Sequence, residues 1–174
     1  MKKNFGFSTI LSVLAFLAMT VALPSHAALI SFSATIDEAQ ANAGAGTGSP
    51  ATGSATMFLD DLTNEFTWDV SWSGFLNTVT VAHFHGPAAA GSNAGAQIEI
   101  DINFNPSTGS AFLDATQASD LLADLWYINI HTDQNPGGEI RGQVLRSAIV
   151  PEPGTSSLLL ASLAGLLYLR RKRQ

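Results

Sequence analysis

Cysteine is absent from all 174 residues, which excludes disulfide staples, thiol nucleophiles and thiolate-held zinc or iron–sulfur centres. Stability must come from a packed core or from a bound ion. Lysine is missing between Lys3 and Lys172, and residues 28–150 carry only Arg141 and Arg146 against thirteen acidic residues, a formal charge of −11 hidden inside the whole-chain value of −6. Such a surface repels phosphate backbones, so nucleic acid is excluded as a partner. Long apolar runs are also lacking. The two longest, residues 10–23 and 157–169, lie near the ends, and both fall short of the about 20 apolar residues that a lasting membrane helix needs. No aspartate series has calcium-loop spacing, and no phosphate-binding glycine loop or serine–histidine–aspartate arrangement can be argued from spacing.

What is present at the two ends reads as an address. Lys2 and Lys3 precede the apolar residues 10–23, and Ser25-His26-Ala27 places small residues at positions −3 and −1. This pattern predicts a secretory signal peptide over residues 1–27, cut by signal peptidase after Ala27. At the other end stand Pro151-Glu152-Pro153, an apolar helix predicted over 155–169, and the basic group Arg170, Arg171, Lys172 and Arg173. Positive charge at both extremes predicts cytoplasmic termini with everything between them delivered outside. The tail resembles the PEP-CTERM sorting signal of Gram-negative bacteria. That resemblance implies a short C-terminal transmembrane helix that holds the chain transiently in the inner membrane. It also implies an exosortase that recognises Pro151, Glu152 and Pro153, with the proline-broken segment left extended for cleavage.

Between the ends, residues 28–148 amount to one domain. Ile30, Phe32, Ala34 and Ile36 alternate with polar residues as a first strand, and residues 39–53, rich in alanine, glycine and serine, read as a mobile loop. Residues 54–60 and 65–72 form a hairpin with Asp60-Asp61 in its turn, and Phe66, Trp68, Val70 and Trp72 share one face. Residues 78–85 follow as a strand with His83 and His85 on its valine side, and Ile98, Ile100, Ile102 and Phe104 predict another over 97–104. Helical spacing covers 116–125, and strands over 126–132 and 139–145 are joined by Asn135-Pro136-Gly137-Gly138. The fold expected is an all-β, antiparallel, Greek-key-like sandwich of about seven strands with one short helix.

His83-Phe84-His85-Gly86-Pro87, the later Asn129-Ile130-His131-Thr132, and Gly138-Glu139-Ile140-Arg141-Gly142-Gln143 resemble the CHRD domain, named after chordin and common in exported bacterial proteins. The resemblance spans most of residues 29–145 and implies an extracellular domain. It assigns no activity.

Two histidines at i and i+2 of a strand point the same way, and His131 from a neighbouring strand completes a facial nitrogen set for a divalent transition metal such as zinc or copper. Two readings stand side by side. The preferred one is a buried polar network whose imidazoles are satisfied by backbone, Tyr127 or carboxylates, with Asp133 or Glu139 as acceptors. The alternative is a three-histidine metal-binding protein or metalloenzyme. The rest of the cupin pattern is absent after His85, and three histidines without a disulfide do not match copper–zinc superoxide dismutases. Arg141, nearly alone among acids, is expected to pair with Glu139 or Asp133, and Trp68 and Trp72 are expected in the core.

The expected role is a non-enzymatic surface or matrix protein with no catalytic residue. It would be processed by an exosortase, released to the cell surface or extracellular matrix, and would contact exopolysaccharide or other surface proteins.

Overall fold

The computed structural model describes residues 28–147, so the cleavage site at Ala27, the Pro151-Glu152-Pro153 motif and the Arg170, Arg171 and Arg173 cluster lie outside the described residues. Among the described residues no helix is long and apolar enough to cross a membrane. They form strands β1 (Leu29–Ile36), β2 (Thr52–Asp60), β3 (Glu65–Ser73), β4 (Val79–His85), β5 (Ala96–Ile100), β6 (Ser107–Phe112), β7 (Tyr127–Thr132), β8 (Ile140–Gln143) and β9 (Leu145–Arg146), with helix α1 (Ala115–Leu122) between β6 and β7. Two antiparallel sheets result, one in the order β6-β3-β2-β1-β9 and the other in the order β5-β4-β7-β8.

Period-two alternation decides which side of each strand is buried. Phe32, Ala34 and Ile36 of β1, Ala55, Met57 and Leu59 of β2, and Phe66, Trp68 and Val70 of β3 point inward. Ala82 and Phe84 of β4, Ile100 of β5, Ile128 and Ile130 of β7 and Ile140 of β8 meet them from the second sheet in one continuous core. Each large side chain so buried contributes about 1.5–3 kcal/mol. At the centre Phe66 packs edge-on against Phe84 at 5.2 Å and against Trp126 at 5.9 Å. Trp68 therefore belongs to the core, and Trp72 packs against its margin.

Local chemistry sets the ends of elements. Asp114 caps α1 by accepting from the backbone amides of Thr116 and Gln117, while the Gln117 side chain accepts from the Asp114 amide, a reciprocal capping box. The Asp60 carboxylate accepts from the amides of Leu62 and Thr63, each at 2.9 Å, closing the β2–β3 turn. Those two bonds hold its pKa below the ordinary value.

Three expectations change. The strand expected over 97–104 ends at Ile100, because the Asp101 carboxylate accepts from the Asn103 amide and turns the chain; Phe104 is left 68% exposed. The next strand, β6, was not expected, since Ser-Thr-Gly-Ser-Ala-Phe has no apolar alternation. It pairs with β3, and Gly109 stands opposite Trp68 where a larger residue would collide with the indole. The loop read as mobile is tethered: Glu38 accepts from the amides of Thr47 and Gly48, and Thr47 and Ser49 donate to Glu139.

The sheets meet where Asp37 and Arg141 exchange two backbone hydrogen bonds, at 3.0 and 2.9 Å. On the far side of the four-stranded sheet, the loop 86–95 and the turn 133–138 fold over the face that carries the histidines, as their hydrogen bonds to His85, Asn129, His131 and Arg141 show.

Candidate metal centre

Inward-pointing Ala82 and Phe84 oblige His83 and His85 to face away from the core, and Ile128 and Ile130 do the same for Tyr127, Asn129 and His131. The β4–β7 register places His83 opposite Asn129 and His85 opposite Tyr127, with an irregularity between Val79 and Val81 just before His131's partner. The three rings converge above this ladder. Ring centres lie 5.4 Å apart for His83–His85, 5.6 Å for His83–His131 and 5.7 Å for His85–His131. One nitrogen from each lies within 4.8 Å of the other two.

The hydrogen bonds fix which nitrogens are free. His85 Nδ1 lies 3.0 Å from the Ala94 carbonyl and His131 Nδ1 lies 2.9 Å from the Pro136 carbonyl. A carbonyl only accepts, so each ring carries its proton on Nδ1 and leaves a bare lone pair on Nε2. His85 Nε2, His131 Nε2 and His83 Nδ1 are buried without any partner among the described residues. A buried polar nitrogen left unsatisfied costs about 1–3 kcal/mol; the backbone hydrogen bonds expected of the histidines are made at the two Nδ1 atoms and do not extend to these three nitrogens. They fit a metal site, where ligating histidines hold their other ring nitrogen on a carbonyl or carboxylate. Zinc–nitrogen bonds of about 2.0–2.1 Å place tetrahedral ligand nitrogens about 3.4 Å apart.

Burial favours the neutral form of two of the rings. Burial lowers the pKa of His85; the bond to Ala94 opposes this in part, and His131, His83 and Arg141 add to the lowering. Burial likewise lowers that of His131, opposed by the Pro136 carbonyl and reinforced by His83. Neutral imidazole is the form that binds metal.

Glu139 and Arg141 are both buried, but they do not pair. β8 begins at Ile140, so Glu139 lies outside the alternation, and Gly138, at φ +116°, turns the chain just before it. Its carboxylate accepts from Ser49 at 2.6 Å, Thr132 at 2.6 Å, Asn77 at 3.0 Å and Asn135 at 3.1 Å. Burial alone would raise its pKa; the four donors outweigh that and bring it to about 2. Arg141 turns to the other side, donating to the carbonyls of Ser92 and Ala89 and to the side chains of Asn93 and Gln143, with its guanidinium carbon 3.6 Å above the Tyr127 ring. Asp133 accepts from the Thr78 amide. The carboxylates expected to orient the histidines are thus employed elsewhere, and two backbone carbonyls take that role. Backbone acceptors belong to the expected network, but the sequence does not say which carbonyls, because a carbonyl has no residue type to read.

Residues 32–144 match the family model of the CHRD domain. No curated protein and no solved structure matches the chain. The matched segment holds His83, His85, His131 and both loops that cover them, and it spans well over half of the sequence: the chain belongs to the CHRD domain family.

Proposed function

We propose that this chain is an exported, non-enzymatic surface or matrix module whose CHRD domain holds a transition-metal ion on His83, His85 and His131. The observations that carry the metal reading are the convergence of the three rings and, in each, a buried nitrogen that has no partner among the described residues. Imidazole suits zinc and copper, and the absence of cysteine leaves nitrogen as the only softer donor within the cluster. Three histidine ligands without a fourth protein donor would leave one position of a tetrahedral ion to a water or another small ligand, and the burial of the three nitrogens restricts access to it. A core of this size without disulfides gains stability from such an ion outside the cell.

Support for export and sorting comes from the sequence: the signal pattern ending at Ala27, and the Pro151-Glu152-Pro153 motif followed by an apolar run and Arg170, Arg171 and Arg173. In this reading signal peptidase and an exosortase of a Gram-negative cell process the two ends. The inner membrane holds the tail transiently, and the released domain meets exopolysaccharide or other surface proteins.

The test of the metal reading is elemental analysis of protein purified from exporting cells without a histidine tag. About one zinc or copper per chain is expected, absent from the His83→Ala, His85→Ala variant. Metal-free protein whose melting temperature does not move on adding zinc or copper would refute the site. Surface display unchanged after deletion of residues 151–174 would refute the sorting half.

A further inference from the structure

Around His85 the hydrogen bonds continue outward in a closed circuit that the metal reading alone does not require. The Tyr127 hydroxyl accepts from the Ala94 amide at 3.0 Å and lies 3.2 Å from the Ala94 carbonyl, to which it donates. That same carbonyl accepts from His85 Nδ1. One phenol therefore grips both backbone polar groups of Ala94, the residue whose carbonyl sets the histidine's tautomer. The Tyr127 ring is also stacked on the His85 ring, with centres 5.0 Å apart and planes 14° from parallel. Arg141 lies over the Tyr127 ring and holds the same loop at Ser92, Asn93 and Ala89. β4 and β8 flank β7, so histidine and arginine approach the tyrosine from its two neighbouring strands.

Resting on the metal reading, we propose that Tyr127 is the positioning residue of the centre. Through Ala94 it fixes His85 with the proton on Nδ1 and the Nε2 lone pair turned toward His83 and His131, and Arg141 latches the loop that carries Ala94. The loop itself has another tie to the sheet, the Gly86 amide bonded to the Gly95 carbonyl at 3.2 Å. That bond keeps the loop in place but does not orient the Ala94 carbonyl toward the imidazole. Binding an ion and docking residues 86–95 then become one coupled event, because the carbonyl that completes the ligand belongs to the loop that closes over it. Groups that orient metal-bound histidines are commonly worth about 10–100-fold in metal affinity.

Tyr127→Phe tests this cleanly, since it keeps the stack and the cation–π contact and removes only the hydroxyl. Zinc, and copper in parallel, are titrated against a chromophoric chelator, and the His85 tautomer of the metal-free protein is read from ring-nitrogen shifts by NMR. The expected result is a Kd about 10-fold weaker, a His85 ring redistributed between tautomers, and a melting temperature of the metal-free protein close to wild type. In the unsubstituted chain, zinc should slow amide exchange at Ala94, a reading that needs no variant. Metal uptake with an unchanged Kd and tautomer in Tyr127→Phe, or with no change in Ala94 exchange, overturns the role of Tyr127 and leaves the metal centre standing. No uptake by the wild type overturns both.

Discussion

The two sheets present outer faces of opposite character. On the five-stranded sheet, Ser33 and Thr35 of β1, Ser54, Thr56 and Phe58 of β2, Asp69 of β3 and Thr108 and Ser110 of β6 are open to solvent, and nothing among the described residues folds over them. On the four-stranded sheet, His85, Tyr127, Asn129, Arg141 and Gln143 point outward just as regularly and yet are buried, because loop 86–95 and turn 133–138 close over them. Outward in a strand is a direction, whereas exposed is a statement about the rest of the chain. The covered face is where polar groups meet at low dielectric, so hydrogen bonds there carry more weight and unsatisfied atoms cost more.

The sharpest way to break this contrast is to delete a charge from each face. Arg141→Ala removes the donor that holds three groups of loop 86–95 and uncaps the Tyr127 ring, and it should cost roughly 2–4 kcal/mol. Asp69→Ala, on the open face, should stay within about 0.5 kcal/mol. Urea unfolding of both variants, with equal slopes, reads the difference directly. Similar losses at the two positions would mean that the loops do not make a true interior.

Acid provides the second test, because the titrating groups of the covered region fall into two windows. His85 and His131 have folded pKa values below the ordinary 6.5, so the unfolded chain binds protons first. Their contribution is complete above about 6.5 and is lost as pH falls below it through the folded values. Glu139 is depressed from 4.5 to about 2, so its contribution is complete above about 4.5 and disappears as pH falls toward 2. Stability of the metal-free protein should therefore decline in two steps. Glu139→Gln should flatten only the lower step and cost about 1–3 kcal/mol at neutral pH, as four donors lose an anionic acceptor. A lower step that survives in this variant would assign it to other carboxylates.

Much of this architecture was legible in the sequence. Phe32, Phe66, Trp68 and Phe84 announce their strands by alternation, and His83, His85 and His131 stand out together in the sequence as the histidines of the motif segments. What was not legible has physical reasons. β6 has serine, threonine and glycine where a core strand has bulk, since Gly109 leaves room for Trp68; only the partner explains it. Ile102 and Phe104 continue an alternation that Asp101 ends by a local turn. The pairing expected of Glu139 with Arg141 follows from strand period, and it fails because Glu139 precedes the strand. A useful sign was present all the same: Asn129, Arg141 and Gln143 stand at outward positions with several hydrogen-bonding groups each, unlike the small hydroxyl residues of the open face.

The smallest expected effect is the most exacting test, because it compares one substitution at two sites. Thr56 lies in the middle of β2, opposite Ser33 and Asp69, and is exposed to solvent. Thr56→Val keeps the β-branched shape that suits a strand and should shift stability by no more than about 0.5 kcal/mol. Thr132→Val changes the same atoms, but the Thr132 hydroxyl donates to Glu139 at 2.6 Å and accepts from the Asn135 amide at 3.1 Å in a fully buried position. Losing it leaves a buried carboxylate one donor short and an amide without its acceptor, at a cost of about 1–3 kcal/mol. Side-chain volume and strand propensity cancel between the two variants, so the difference in their unfolding midpoints isolates the setting of the hydroxyl. If it vanishes, the polar groups around Glu139 reach water as freely as Thr56 does, and the buried hydrogen bonds at this end of β7 carry no energetic weight.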